Sequence, residues 1–140
     1  MLLPQRSRQV LLNSAQSAAQ SAAPLVAIVD DDESIRMATA SLVRSLGRRT
    51  EQFASAEAFL ASDKIAAMDC VVSDFMMPGM TGVAMHEQLL ALGYRMPIVF
   101  ITAFPSEELK TRALANGALA VLLKPVDAND VAHWLDVALG

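Results

Sequence analysis

Five short strand-like runs, most of them apolar, recur along this chain, and each is followed by a segment with helical spacing. The runs cover residues 25–29, 50–53, 70–74, 97–102 and 119–123. The segments cover residues 34–46, 55–60, 81–92, 105–116 and the chain from 127 onward. Such alternation predicts an α/β fold, a parallel five-stranded sheet with helices on both faces. Parallel strands covered on both faces should be continuously apolar, as most of these runs are.

The third run ends in a carboxylate. Asp74 closes this run, and Pro78 and Gly79 then stop the strand, because proline lacks an amide donor and glycine favours turns. Ligands of open α/β sheets bind in the crevice above the carboxyl ends of the strands. Taken alone, an aspartate in this position is more often a turn or helix cap. Asp74 is therefore a candidate site residue only if other functional side chains lie at the same edge of the sheet.

Four consecutive acids, residues 30–33, follow the first run and precede the first helical segment. We expect Asp32 to cap that helix, and a second acid to favour the helix dipole. Capping accounts for one or two acids only. A divalent cation explains the excess better, because hard carboxylate oxygens suit Mg²⁺.

The strand ends can now be compared. They carry Asp30 and Asp31, Asp74, Thr102 and Lys124. A doubly wound sheet brings the carboxyl ends of its central strands together. Acids, a hydroxyl and an ammonium that converge on one crevice are typical of a phosphoryl-transfer site.

On these residues the chain resembles a bacterial two-component response-regulator receiver domain, most closely the nitrogen-fixation-type branch. The motifs that carry the resemblance lie at residues 29–36, 53–60, 73–82, 101–103 and 124–125, each at or after its own strand. The match runs from about residue 25 to the end. It implies a flavodoxin-like (βα)5 three-layer sandwich with strand order 2-1-3-4-5.

The resemblance also implies roles for the residues that contact phosphate. Asp74 would accept a phosphoryl group from a histidine kinase or phosphotransfer protein. Lys124 would pair with one phosphate oxygen, and Thr102 would donate a hydrogen bond to another. Pro125 would follow a cis peptide bond.

A magnesium site is implied beside that aspartate. Asp31 and Asp74 would bind Mg²⁺ together with the backbone carbonyl of Met76, and Asp30 would hold a metal-bound water. The physical chemistry agrees, because phosphoryl transfer depends on positioning and on neutralising the charge of the phosphoryl oxygens. The metal would also relieve repulsion among the clustered carboxylates.

Three positions depart from the family pattern. Val121 stands where these domains usually carry Tyr or Phe, three residues before Lys124, and its small stiff side chain puts the usual aromatic switch in doubt. Met76 lies two residues past Asp74, and Phe104 lies two residues past Thr102. Polar residues at these two positions can orient an attacking water. Apolar side chains there predict slow hydrolysis of an aspartyl phosphate. The alternative is that both are hydrophobic cover without kinetic effect.

Composition bounds the remaining expectations. The net charge of −4 and the absence of a basic stripe argue against direct nucleic-acid binding, and no apolar run is long enough for a membrane span. Cys70 is the only cysteine, so no internal disulfide can form, and a reducing, cytoplasmic setting fits. We expect residues 1–24 to be a flexible extension and 25–140 the receiver domain. His86 and His133 lack any metal-site or dyad pattern and are expected on the surface.

Two functions remain open. The first is a phosphorylation switch that regulates a partner or output domain, with self-catalysed phosphoryl transfer and slow autodephosphorylation but no enzymatic turnover. The second is a pseudo-receiver, an interaction module that no longer switches, for which Val121 is the argument. A phosphatase with an aspartyl nucleophile would need an acid where Met76 stands. The last helix, with the preceding helix and strand, is a candidate dimer face. The chain as given has no room for an output domain, so we expect a single-domain regulator or part of a longer protein.

Overall fold

The structure, a computed structural model, describes residues 23–140. The extension predicted for residues 1–24 lies outside the described residues except at its last two positions. Within the described part, five strands alternate with five α-helices. Their bounds are β1 Leu25–Val29, α1 Glu33–Ser45, β2 Arg49–Phe53, α2 Ala56–Leu60, β3 Cys70–Asp74, α3 Gly82–Ala91, β4 Ile98–Thr102, α4 Glu107–Ala115, β5 Ala120–Leu123 and α5 Ala128–Leu139.

All neighbouring strands pair in parallel, in the order β2-β1-β3-β4-β5. This is the flavodoxin-like order 2-1-3-4-5 that the resemblance implies, and the prediction is confirmed. Parallel pairing brings the carboxyl ends of β1, β3, β4 and β5 to one edge of the sheet. The switch in strand order falls between β1 and β3, where open α/β sheets place their ligands.

A side-chain cap begins every α-helix. Asp32, Ser55, Thr81, Ser106 and Asp127 each accept a hydrogen bond from a backbone N–H of the first turn, at distances of 2.7–3.3 Å. These caps satisfy amide groups that a helix start otherwise leaves unpaired. The cap predicted at Asp32 is confirmed, and it fixes the direction in which α1 leaves the acidic turn.

Two apolar layers cover the sheet. One face packs against α2, α3 and α4, and the other against α1 and α5, so the three-layer prediction is confirmed. The buried helical side chains of the first layer are Ala56, Phe59, Val83, Met85, Leu89 and Ala113. Those of the second layer are Ala40, Val43, Val131 and Leu135.

The structure corrects one placement and adds one element. His86 was expected on the surface but is only 4% exposed, because α3 turns it toward the sheet, with its ring centroid 6.0 Å from that of Phe100. Burial lowers its pKa, and within residues 23–140 its Nδ1 atom has no hydrogen-bond partner. His133 is exposed, as expected. A 3-10 helix, Ile65–Ala67, was not predicted.

Among these helices none has the length and apolar content needed to cross a membrane.

Candidate functional site

An ion-pair triad forms the centre of the candidate site. Lys124 follows β5 directly, and its Nζ atom lies 3.0 Å from Asp74 Oδ2 at the end of β3 and 3.1 Å from Asp30 Oδ2 just after β1. The three side chains are 13%, 8% and 2% exposed. Residues separated by 50 and 94 positions in the sequence therefore meet in a largely buried cluster.

The backbone of the neighbouring strand holds the lysine in place. The Lys124 amide donates to the carbonyl of Thr102, at the end of β4, over 2.8 Å. Its side chain must then cross the end of β4 to reach β3 and β1, which lie further along the sheet. The long flexible stem of lysine makes this reach possible.

A third carboxylate joins the cluster from the solvent side. Asp31 is exposed, and one carboxylate oxygen from each of Asp30, Asp31 and Asp74 lies within 4.8 Å of the other two. The Asp30 Oδ1 atom also accepts a hydrogen bond from the Asp32 amide over 3.0 Å, which fixes its orientation. One ammonium among three carboxylates leaves two negative charges unbalanced. Hard oxygen donors with that surplus charge fit Mg²⁺.

Arg36 is a supporting residue to which sequence reasoning assigned no role. Its guanidinium donates to the backbone carbonyl of Asp30 over 2.9 Å and so anchors the acidic turn to α1. The available signal was its position, one helical turn after the Asp32 cap, from which a long side chain reaches back over the turn.

The pKa values of the triad reflect burial and charge together. Burial raises the pKa of Asp74 above its usual value, the Lys124 ammonium opposes this shift, and the nearby Asp30 carboxylate adds to it. Burial acts to lower the pKa of Lys124, but the hydrogen bonds that its ammonium donates to Asp74 and Asp30 outweigh this effect, and the net shift of the pKa is upward. The lysine therefore stays charged, and the acids stay close to a fixed cation.

The Thr102 hydroxyl lies at the same edge of the sheet but is already hydrogen-bonded. Thr102 is 1% exposed, and its Oγ1 atom both donates to the carbonyl of Phe104 and accepts from the Phe104 amide, each over 3.1 Å. These contacts close a tight turn after β4. The hydroxyl must release the carbonyl before it can donate to another group.

A cavity of about 300 Å³ opens over the cluster. Met76 and Phe104 form two of its walls, and their side chains are 47% and 78% exposed. The Met76 amide points toward Asp74 Oδ1, over a long 3.4 Å contact. The remaining lining residues are Asp31, Asp32, Ile35, Asp74, Thr102, Ala103 and Lys124. Most of the predicted site residues therefore line one opening with apolar side chains at its rim, and Asp30 lies beneath it in contact with Lys124.

Two other predicted positions lie behind the site. Val121 is half-buried, pairs with Phe100 in the sheet register and packs against the first apolar layer. Its side chain is the aliphatic group noted in the sequence. The Lys124–Pro125 peptide bond is cis, as the resemblance implies.

Comparison with known proteins identifies the class. The model of the family described as "response regulator receiver domain" matches residues 26–136. The chain belongs to this family, whose members are phospho-accepting regulators of two-component signalling. Classification as a receiver domain is thereby confirmed.

Individual relatives refine this result. The chain is 36% identical over 115 residues to the response regulator protein TmoT of Ectopseudomonas mendocina, a match that covers 82% of this chain and 52% of that protein. It is 32% identical over 115 residues to the transcriptional regulatory protein FixJ of Azorhizobium caulinodans, a match that covers 82% of this chain and 54% of that protein. The solved structure of the response regulator StyR superposes with a TM-score of 0.77 at 38% identity, over 84% of this chain and 60% of that one. The similarity to the nitrogen-fixation-type branch is confirmed. The chain spans about half the length of the curated relatives it matches.

Proposed function

We propose that Asp74 is the phosphoacceptor of this receiver domain and that a histidine kinase or histidine phosphotransfer protein is the donor. The observation that carries the proposal is the contact of the Lys124 ammonium with Asp74 and Asp30 in a nearly buried cluster under an open cavity. An oxygen of the Asp74 carboxylate attacks phosphorus, a phosphorus–oxygen bond forms, the phosphorus–nitrogen bond to the donor breaks, and the imidazole leaves.

The residues around Asp74 stabilise the charge that moves in this step. Lys124 already lies within hydrogen-bond distance of the acceptor carboxylate, so its ammonium can follow one phosphoryl oxygen. The Thr102 hydroxyl can donate to a second oxygen once it releases the carbonyl of Phe104. Electrostatic stabilisation from preformed positions is the main source of catalysis in phosphoryl transfer.

Magnesium is part of the same proposal. Asp31 and Asp74, with the backbone carbonyl of Met76, would hold the ion, and Asp30 would hold one of its waters. Support comes from the three carboxylates that lie close enough to share one ion and from their uncompensated charge. When bound, the ion supplies further neutralisation of the phosphoryl oxygens.

A small phosphodonor tests the acceptor. Purified full chain is incubated with acetyl phosphate and Mg²⁺, and the product is analysed by intact mass and by acyl-phosphate chemistry. We expect one acid-labile phosphoryl group on the wild type and on the control Asp63→Asn, in which an exposed aspartate is changed. Asp74→Asn should carry none. Equal labelling of Asp74→Asn, or no labelling of the wild type, would refute the proposal.

The modified domain then acts as a switch that regulates a partner or an output domain. The competing function is the pseudo-receiver, and the observation that favours it is the aliphatic Val121, which pairs with Phe100 in the sheet register and packs against the first apolar layer. Hydrogen exchange with and without phosphate on Asp74 separates the two functions. A switch changes protection in α4 and β5, whereas a pseudo-receiver that accepts phosphate leaves them unchanged.

We also propose homodimer formation through α4, β5 and α5. The support is that Leu114, Leu123 and Val137, one on each of these elements, are 45%, 58% and 52% exposed. Exposed apolar side chains on neighbouring elements are typical of an interaction surface. Sedimentation of the wild type and of Leu123→Ser, with and without phosphorylation, tests it. A monomer under all conditions would refute it.

A cytoplasmic location and the absence of direct nucleic-acid contact complete the proposal. The buried Cys70 thiol supports the reducing setting, and the net charge of −4 supports the second point. Slow loss of phosphate from Asp74 also belongs here, because apolar Met76 and Phe104 form walls of the cavity where an attacking water would enter.

A further inference from the structure

The loop between β3 and α3, residues 75–81, carries the backbone of Met76 next to the acceptor aspartate. Its ends are tied to the sheet and to each other. The Phe75 amide donates to the carbonyl of Ile101 over 3.0 Å, and the Gly82 amide donates to the carbonyl of Phe75 over 2.8 Å. Met77, in the middle of the loop, is only 6% exposed and packs into the first apolar layer.

A side chain from another helix holds the far part of this loop. The Glu57 Oε1 atom, on α2, accepts a hydrogen bond from the Met80 amide over 2.7 Å. The pKa of Glu57 lies below its usual value, and this hydrogen bond from the Met80 amide is the largest cause of the shift. A carboxylate that accepts a backbone N–H forms a charge-assisted bond, which is stronger than a neutral one.

The neighbouring Gly79 also lies very close to this carboxylate. Gly79 has φ +82°, and a β carbon built there would lie 2.7 Å from Glu57 Oε1. The loop therefore crosses directly over the Glu57 carboxylate, in a left-handed conformation that favours glycine. The sequence resemblance included both residues in its motifs but gave neither a role.

The helix that carries the exposed Glu57 is itself held in place. Ser55 caps α2 by accepting a hydrogen bond from the Ala58 amide over 3.0 Å. Phe59, fully buried, packs edge-on against Phe53 of β2, with ring centroids 5.0 Å apart. The contact to Met80 thus joins the loop to a helix that is fixed in the core.

We propose that Glu57 is a positioning residue for the metal site: by holding Met80 it keeps the loop, and with it the Met76 backbone, beside Asp74. This inference rests on the proposed magnesium site and adds to it a residue that does not contact the ion. Supporting residues of this kind hold metal ligands in the geometry that binding needs, and their loss weakens affinity.

Calorimetric Mg²⁺ titration of the full chain tests the inference with a matched pair of variants. Glu57→Ala removes the acceptor oxygen, and Glu57→Gln removes the charge but keeps an oxygen that can accept from the Met80 amide. We expect Glu57→Ala to bind Mg²⁺ about tenfold more weakly than the wild type, the low end of the effects of supporting residues. Glu57→Gln should weaken binding only about two- to threefold, because its amide oxygen still accepts from the Met80 amide, although over a weaker bond than the charge-assisted one.

A second readout separates positioning from general damage to the fold. The phosphorylation rate of Glu57→Ala with acetyl phosphate should need more Mg²⁺ to reach half its maximum, yet should reach the wild-type maximum when Mg²⁺ saturates. Unchanged Mg²⁺ affinity in Glu57→Ala overturns the inference and leaves the proposed site intact. Equal weakening in Ala and Gln also overturns it, because charge would then be the cause. A wild type that binds no Mg²⁺ overturns the proposed metal site and this inference together.

Discussion

Removal of the Lys124 ammonium should destabilise the protein in the absence of metal. The suitable change is Lys124→Met, which keeps the apolar stem and removes only the charge. Two carboxylates, those of Asp30 and Asp74, then remain in a cluster where they are 2% and 8% exposed, without a cation. An unpaired buried charge has lost its hydration without gaining a partner.

The size of the effect follows from the burial of the pair. Breaking a buried ion pair by removal of one partner costs about 3–5 kcal/mol. Because the Lys124 side chain retains 13% exposure, water can reach the gap, and we take the lower end, about 3 kcal/mol at pH 7 in chelator. Mg²⁺ should restore part of the lost stability of Lys124→Met, because the ion binds the folded state. In this variant the ion is also no longer repelled by the Lys124 ammonium.

The assay is denaturant unfolding of the wild type and Lys124→Met, in chelator and with added Mg²⁺. Lys64→Met is the matched control, because Lys64 forms an ion pair of similar length, 2.9 Å, with Glu51 on the exposed surface. The control should change stability little and respond to Mg²⁺ like the wild type. The reasoning is refuted if Lys124→Met is as stable as the wild type in chelator, or if Mg²⁺ stabilises it no more than the wild type.

Three further predictions concern packing, pH and phosphate lifetime. Gly82→Ala should lower the free energy of unfolding by about 3 kcal/mol or abolish folding, because its β carbon would lie 2.1 Å from a backbone oxygen at the end of β3. The control is Gly93→Ala, where φ is +92° and nothing lies within 4 Å of the added β carbon, and it should cost only about 1 kcal/mol. Equal losses of stability in the two variants would contradict the steric argument. Burial lowers the pKa of His86 below 6.5, so the unfolded chain takes up the proton first and stability should fall as pH drops below 6.5. His86→Phe should remove that part of the pH dependence in denaturant unfolding, and an unchanged slope would exclude His86 as its source. Met76→Asn with Phe104→Asn should shorten the half-life of the aspartyl phosphate, measured by loss of label, and an unchanged half-life would leave both side chains as hydrophobic cover.

Local patterns predicted the elements well because they depend on neighbours in the sequence. The strand-like runs located all five strands to within two residues at their ends, and the helix cap at Asp32 lies where the sequence placed it. The surface prediction for His86 was wrong because it followed the polarity of the side chain, whereas its spacing of three residues from both Val83 and Leu89 places it on the buried face of α3. The 3-10 helix Ile65–Ala67 escaped because three residues are too short for any period to appear.

For the candidate site too, the residues could be predicted from the sequence, but their contacts could not. Its members could be identified from the sequence because each is a polar residue at a strand end, and parallel strands share one edge. Which atoms touch could not be identified, because side-chain reach depends on strand order and burial. Lys124 bridges Asp74 and Asp30 across β4, the Thr102 hydroxyl is held by Phe104, and neither contact is encoded by spacing.

The sequence by itself determined the alternation of strands and helices, the helix starts and the identity of the polar residues at the strand ends, since these follow from residue chemistry over short distances. Only the tertiary structure decided that one ammonium serves two carboxylates and that Glu57 of α2 holds the loop after β3. Those contacts join residues 23 to 94 positions apart. Their geometry exists only once the packed sheet and helices bring the strand ends within a few ångströms.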